Sequence, residues 1–100
     1  MPTLEQRIYD GDQARLVLEN EAFTWAFDEI RKEYLEAWTK SPARDAEGRE
    51  KLFLMYSLTN KLQATLEAAL ADGKIAKVAL QHQADQLARD RAEGVLNGSM

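Results

Sequence analysis

Apolar residues recur with a heptad-like spacing along the chain, within two long stretches that neither Pro nor Gly interrupts, residues 12–41 and 49–72. In the first stretch they lie at Leu16, Phe23, Phe27, Ile30, Tyr34 and Ala37. Steps of three and four residues place side chains on one face of a helix, and such a face packs on a second helix at a shallow angle. We therefore expect a helix from about Gln13 to Lys40. A short helix, LEQRIYD, should precede it and end at Gly11.

The second stretch predicts another amphipathic helix, from Arg44 or Ala46 to Ala71, whose apolar face is Leu52, Met55, Leu58, Leu62, Leu66 and Ala69. Asp72-Gly73 is typical of a helix end, because glycine adopts the left-handed conformation that closes many helices. A weakly amphipathic fourth helix should follow and end at Gly94. The expected fold is all-α, a long antiparallel helical hairpin with a short N-terminal helix and a C-terminal helix. These would form a three- to four-helix bundle or a coiled-coil-like assembly, with one domain at 1–94 and a loose tail at 95–100.

The segment SPARDAEGREKL, residues 41–52, lies between the two long stretches. Ser41 is a favourable helix cap and Pro42 suits the first helical position, so the segment has the composition of a helix corner. A functional loop is the alternative, because Arg44, Asp45 and Arg49 form a polar group that could bind a partner.

Two places carry more apolar side chains than one helix pair can cover. Leu18, Ala22 and Trp25 fall opposite the main apolar face if residues 13–40 form one helix. Either the N-terminal helix folds over Trp25 or this tryptophan anchors an interface, where tryptophan is enriched. Phe53, in the run LFLMY, points away from Met55 and requires cover from the fourth helix or from another copy.

The composition and net charge of the chain argue against several classes of function. The chain has 100 residues, 45% of them hydrophobic and 30% charged, which fits one folded domain. Its net charge of −4 disfavours nucleic-acid binding, and no apolar run approaches the length of a membrane span. It contains no cysteine, so neither disulfides nor thiol chemistry is expected. The simplest expectation is a cytosolic protein.

Motifs for catalysis or cofactor binding are absent from the sequence. His82 is the single histidine, and no carboxylate stands in the Glu-x-x-His spacing of di-metal bundles. There is no glycine-rich phosphate loop, no His-Glu-x-x-His and no nucleophile elbow. The sequence thus predicts a protein that is not an enzyme, with no catalytic, cofactor-binding or metal-ligating residues.

The stretch from Asn20 to Lys74, with EAF, YLEAW, SPARDAEGREKL and the closing DGK, resembles small uncharacterised helical proteins encoded by tailed phages and prophages. The resemblance implies a phage setting, in the host cytoplasm or the virion. The expected function is protein–protein interaction, as a self-associating accessory or assembly component. The alternatives are a small inhibitor that blocks a host defence protein, and a DNA-packaging component of the small-terminase type. The expected partner is a second copy, or a phage or host protein, rather than a membrane or a nucleic acid.

Overall fold

The computed structural model describes residues 1–98, and its described residues form three α-helices without a strand: α1 (Leu4–Leu18), α2 (Glu21–Lys40) and α3 (Ala46–Gly98). The predicted all-α class is confirmed. Several predicted helix boundaries are wrong, and each error has a local physical cause.

The first helix does not end at Gly11. It begins where expected, because the Thr3 hydroxyl accepts a hydrogen bond from the Gln6 backbone N–H at 3.1 Å. It then continues to Leu18, and the helix is interrupted before Asn20, which is the N-cap of α2. The Asn20 side chain accepts from the Phe23 N–H at 2.8 Å and so starts α2. The predicted helix from Gln13 to Lys40 is therefore two helices.

The predicted stop at Gly73 is also wrong, since α3 passes through both Gly73 and Gly94 and joins the third and fourth predicted helices into one. Gly73 keeps a negative φ and is buried against Gly11 of α1. A Cβ built on Gly11 would lie 2.8 Å from the Gly73 Cα, so the two backbones approach as closely as glycines allow. Of the expected loose tail, residues 95–98 continue α3 and 99–100 lie outside the described residues.

Both shorter helices pack along α3. Later residues of α2 contact earlier residues of α3. Arg31 of α2 donates to Gln63 of α3 at 2.8 Å, and the rings of Trp38 in α2 and Phe53 in α3 lie 6.2 Å apart. The molecule measures 85 × 27 × 16 Å, with a radius of gyration of 23.0 Å. A compact domain of this length would have a radius of gyration of about 13 Å. The chain by itself is a thin, elongated layer of helices.

This shape leaves little interior. The buried hydrophobic side chains of the described residues are Ala14, Phe27 and Ala76, and Phe27 is the only large one. The apolar face predicted for the first long stretch is divided, because Leu16 belongs to α1 and is exposed while Phe27 is buried in α2. In α3, residues 81–94 are exposed throughout, so this part of the helix covers nothing in its own chain.

Candidate protein interaction surface

An apolar groove of about 470 Å³ runs between α2 and α3. It is lined by Phe27, Ile30, Leu58, Thr59, Lys61, Leu62 and Thr65. Phe27 is buried, whereas Ile30, Leu58 and Leu62 are 46%, 67% and 50% exposed. With one charged residue among seven, the groove suits an apolar helix face better than a polar ligand.

The groove continues as a row of leucines along α3. Leu54, Leu58 and Leu62 follow one another at intervals of four residues, which places them on one ridge of the helix. All three are exposed, as is the neighbouring Met55. We call Leu54, Met55, Leu58, Leu62 and Ile30 the groove face. The sequence pattern predicts Met55, Leu58 and Leu62 on an apolar face of the helix, and the structure leaves all three exposed.

The same side of α3 is covered farther along the chain. Helix periodicity puts Ala69, Gly73 and Ala76 on the side that carries Leu58 and Leu62. There α1 packs closely, with Gly73 and Ala76 buried. The groove face is therefore the uncovered continuation of a side that α1 covers elsewhere.

The residues predicted for the first interface do not share one helix. Leu18 belongs to α1 and is partly buried, lining a cavity with Phe23 and Leu70, while Ala22 and Trp25 are exposed on α2. The break at Asn20 separates Leu18 from the other two, so the predicted single face is wrong. The interpretation that the N-terminal helix covers Trp25 is also wrong, because α1 packs on α3 and Trp25 is 68% exposed. Its role as an interface anchor stays a prediction.

The corner segment is held by Arg49. Its Nη1 donates to the backbone oxygens of Trp38 at 3.3 Å and Ser41 at 3.0 Å, and to the Ser41 Oγ at 3.0 Å. The guanidinium also lies over the Trp38 ring, 5.1 Å from its centre. Ser41 closes α2 instead of starting α3, and its hydroxyl donates to the Trp38 oxygen at 2.6 Å. Arg49 thus binds the last carbonyls of one helix from the first turn of the next.

The other two members of the predicted polar group are placed differently. Asp45 caps α3, because its Oδ1 accepts from the Gly48 N–H at 3.1 Å. Arg44 is exposed and makes no hydrogen bond or ion pair with the described residues. The structure therefore gives Asp45 and Arg49 helix-end contacts and leaves Arg44 at the surface.

Replacing Arg49 with alanine should lower the free energy of unfolding by about 1–3 kcal/mol, because the variant loses charge-assisted bonds to the end of α2. Chemical denaturation followed by circular dichroism measures the change. Arg44→Ala is the matched control in the same corner and should stay within about 0.5 kcal/mol of the parent. Equal effects of the two substitutions would refute the role given to Arg49.

Phe53 packs beside Trp38, and together with Leu35 and Tyr56 these rings enclose a small cavity of about 50 Å³. Phe53 is still 51% exposed. The fourth helix that was expected to cover it is the continuation of α3 and extends away from this end. Phe53 therefore remains a candidate interface residue.

Two ion pairs join α1 to α3. Arg7 donates to both carboxylate oxygens of Asp72, at 2.9 and 2.7 Å, and Lys77 lies 3.1 Å from Asp12. The hydrogen bonds from Arg7 lower the pKa of Asp72 below its ordinary value of 3.8, with a further contribution from the Arg7 charge. The same hydrogen bonds raise the pKa of Arg7.

This pair predicts a loss of stability in acid. A carboxyl group whose pKa is lower in the folded state stabilises the fold above its unfolded pKa, and this contribution disappears as the pH falls through the folded value. The melting temperature should therefore decrease as the pH is lowered below about 4. In Asp72→Asn the fall between about pH 6 and about pH 3 should be smaller. The same fall in the parent and in Asp72→Asn would contradict the assignment.

Residues 1–98 contain no cluster of three or more histidine, aspartate or glutamate side chains that could hold a metal ion. His82 lies with Asp85, Gln86 and Arg89 on the exposed part of α3. No helix within the described part of the chain is both long and apolar enough to span a bilayer.

No protein-family model matches the sequence, and neither a curated protein nor a solved structure is significantly similar to it. The resemblance to phage-encoded proteins accordingly stays an expectation.

Proposed function

We propose that this protein is a non-enzymatic interaction module that self-associates through its exposed apolar side chains. The observation that carries the proposal is that the chain has a larger solvent-accessible surface than a compact monomer of the same mass. The chain exposes 7900 Å², whereas a compact monomer of 11.3 kDa would expose about 5,700 Å². The difference of about 2,200 Å² exceeds the roughly 800 Å² that each partner buries in a standard interface.

The chemistry of that surface supports the same proposal. The groove face consists of five exposed apolar side chains on the adjacent helices α2 and α3, and exposed apolar patches mark interaction sites. Because a single large side chain is buried among the described residues, association would add the hydrophobic burial that the chain alone lacks. The α2–α3 hairpin would be the repeating unit of a coiled-coil-like or bundled assembly.

In the phage setting that the sequence resemblance implies, such a module would be an accessory or assembly component, in the host cytoplasm or the virion. Sedimentation velocity over a concentration series tests the self-association. The expected result is a reversible species of twice 11.3 kDa or more. A single species of 11.3 kDa up to about 1 mM protein would overturn the proposal.

A second function, binding and blocking a different protein, is favoured by Trp25. This side chain is 68% exposed on the outer side of α2, away from the groove face, with Glu29 and Lys32 nearby in sequence. An exposed tryptophan among charged residues suits the centre of an interface with a foreign partner. A chain that stays monomeric and binds one host protein in a Trp25-dependent manner would support this function over self-association.

A further inference from the structure

We infer that two copies pair through their groove faces about a two-fold axis that passes close to Leu58. The inference rests on the proposed self-association and names its surface and symmetry. The occupant of each groove is the same groove of the second copy.

The spacing of the leucines carries the symmetry. Leu58 is the most exposed leucine of the groove face, at 67%, and lies midway between Leu54 and Leu62. When two such helices cross in opposite directions, Leu58 meets Leu58 of the second copy, and Leu54 of each copy meets Leu62 of the other. A row with equal steps on either side of its centre is therefore complementary to itself, as a two-fold interface requires.

The dimensions of the molecule fit this pairing. The chain is a layer whose smallest dimension is 16 Å. At the groove, the lining residues of this layer come from α2 and α3. Two layers placed face to face bring four helices around one core, which is the architecture of a four-helix bundle. Ile30 extends the apolar contact onto α2, and the buried Phe27 would then lie beneath a closed groove instead of an open one.

The groove face is also better suited than the other exposed end of the molecule. Residues 81–94 of α3 are exposed, but Leu87 is the only large hydrophobic side chain there. The groove face has five exposed large apolar side chains, and three of them, Ile30, Leu58 and Leu62, line the same groove. Leu87, which is 53% exposed on the same helix, consequently serves as a matched control.

A cysteine placed at the axis tests the symmetry directly. The chain contains no cysteine, so Leu58→Cys introduces a single thiol. Across the proposed axis, two copies of this position come within disulfide reach, which requires Cα atoms about 4.4–6.8 Å apart. Mild oxidation of the full-length variant should give covalent dimers in high yield, whereas Leu87→Cys should stay uncrosslinked.

A charge at the same position tests the energetics. Leu58→Glu should weaken dimerisation at least about thirtyfold, because a buried carboxylate would face its own copy. Leu87→Glu should leave the dissociation constant unchanged. Because Leu58 is exposed in the single chain, both variants should keep the helical circular dichroism of the parent.

The outcomes separate the two proposals. A dimeric parent that Leu58→Glu dissociates and that Leu58→Cys crosslinks supports the inference. A dimeric parent that Leu58→Glu leaves intact, or in which Leu87→Cys crosslinks instead, refutes this surface while self-association stands. A parent that is monomeric at every concentration refutes both. If Leu58→Glu loses its helical signal, the cysteine pair decides alone.

Discussion

Replacing Phe27 with alanine should lower the free energy of unfolding by about 3–5 kcal/mol, the cost of a cavity where a buried aromatic ring stood. Phe27 is 8% exposed and stacks on Phe23, with ring centres 5.7 Å apart. The Arg31 guanidinium lies over the same ring, 5.4 Å from its centre. A domain of 100 residues has only about 5–15 kcal/mol of stability. The substitution therefore removes a large share of the total, and it should be measured by chemical denaturation.

The control for this prediction lies two residues away. Trp25→Ala removes a larger side chain from the same helix, but one that is 68% exposed, so its effect should stay within about 0.5 kcal/mol. Phe27→Leu, which keeps most of the volume, should cost less than about 1.5 kcal/mol. All variants must be compared at one protein concentration, because self-association would add to the apparent stability. Equal losses for Trp25→Ala and Phe27→Ala would mean that Trp25 belongs to the core.

Helical content and the buried position of Phe27 could be predicted from the sequence, because both depend on local spacing. The start of α2 could also have been predicted. Asn is among the best N-cap residues, yet Asn20 stands out in the apolar pattern only as an interruption. Recognising the cap would have separated Leu18 from Trp25 and removed the wrong single face.

The neighbouring residues do not predict that α1 continues through Gly11 or that α3 continues through Gly73. Glycine is a poor helix former and a common helix end, so Gly11 and Gly73 each indicate a stop when viewed alone. They are helical because each lies against the other, and nothing in the neighbouring residues shows that a partner glycine comes far along the chain. Tertiary packing here overrides local propensity.

The exposure of the groove face could not be predicted from the sequence, for a related reason. Spacing shows which residues share a side of a helix, but not whether another helix covers that side. Leu58 and Leu62 fit a core position as well as they fit an uncovered groove. Their exposure follows from the path of α1, which covers α3 around Gly73 and leaves the part near Leu58 open.

Replacing Gly73 with alanine should lower the free energy of unfolding by about 1–3 kcal/mol, although alanine is the better helix former by about 1 kcal/mol. The added methyl would lie 2.9 Å from the Gly11 Cα and 3.3 Å from the Arg7 carbonyl oxygen. Both are backbone atoms, so α1 must shift away from α3. That shift would also separate Arg7 from Asp72. Gly11→Ala should act similarly, since its Cβ would lie 2.8 Å from the Gly73 Cα and 3.0 Å from the Ala69 oxygen.

Gly94→Ala distinguishes crowding between helices from the helix propensity of the new residue. Gly94 belongs to the same helix as Gly73, but a Cβ built there meets nothing within 4 Å. The substitution should therefore show only the propensity gain, an increase in helical signal and stability of at most about 1 kcal/mol. The contrast in sign between Gly73→Ala and Gly94→Ala, measured by thermal and urea melts, is the expected result. If Gly73→Ala stabilises the protein as Gly94→Ala does, α1 does not pack on α3 through its glycines, and Gly11 and Gly73 are ordinary helical residues.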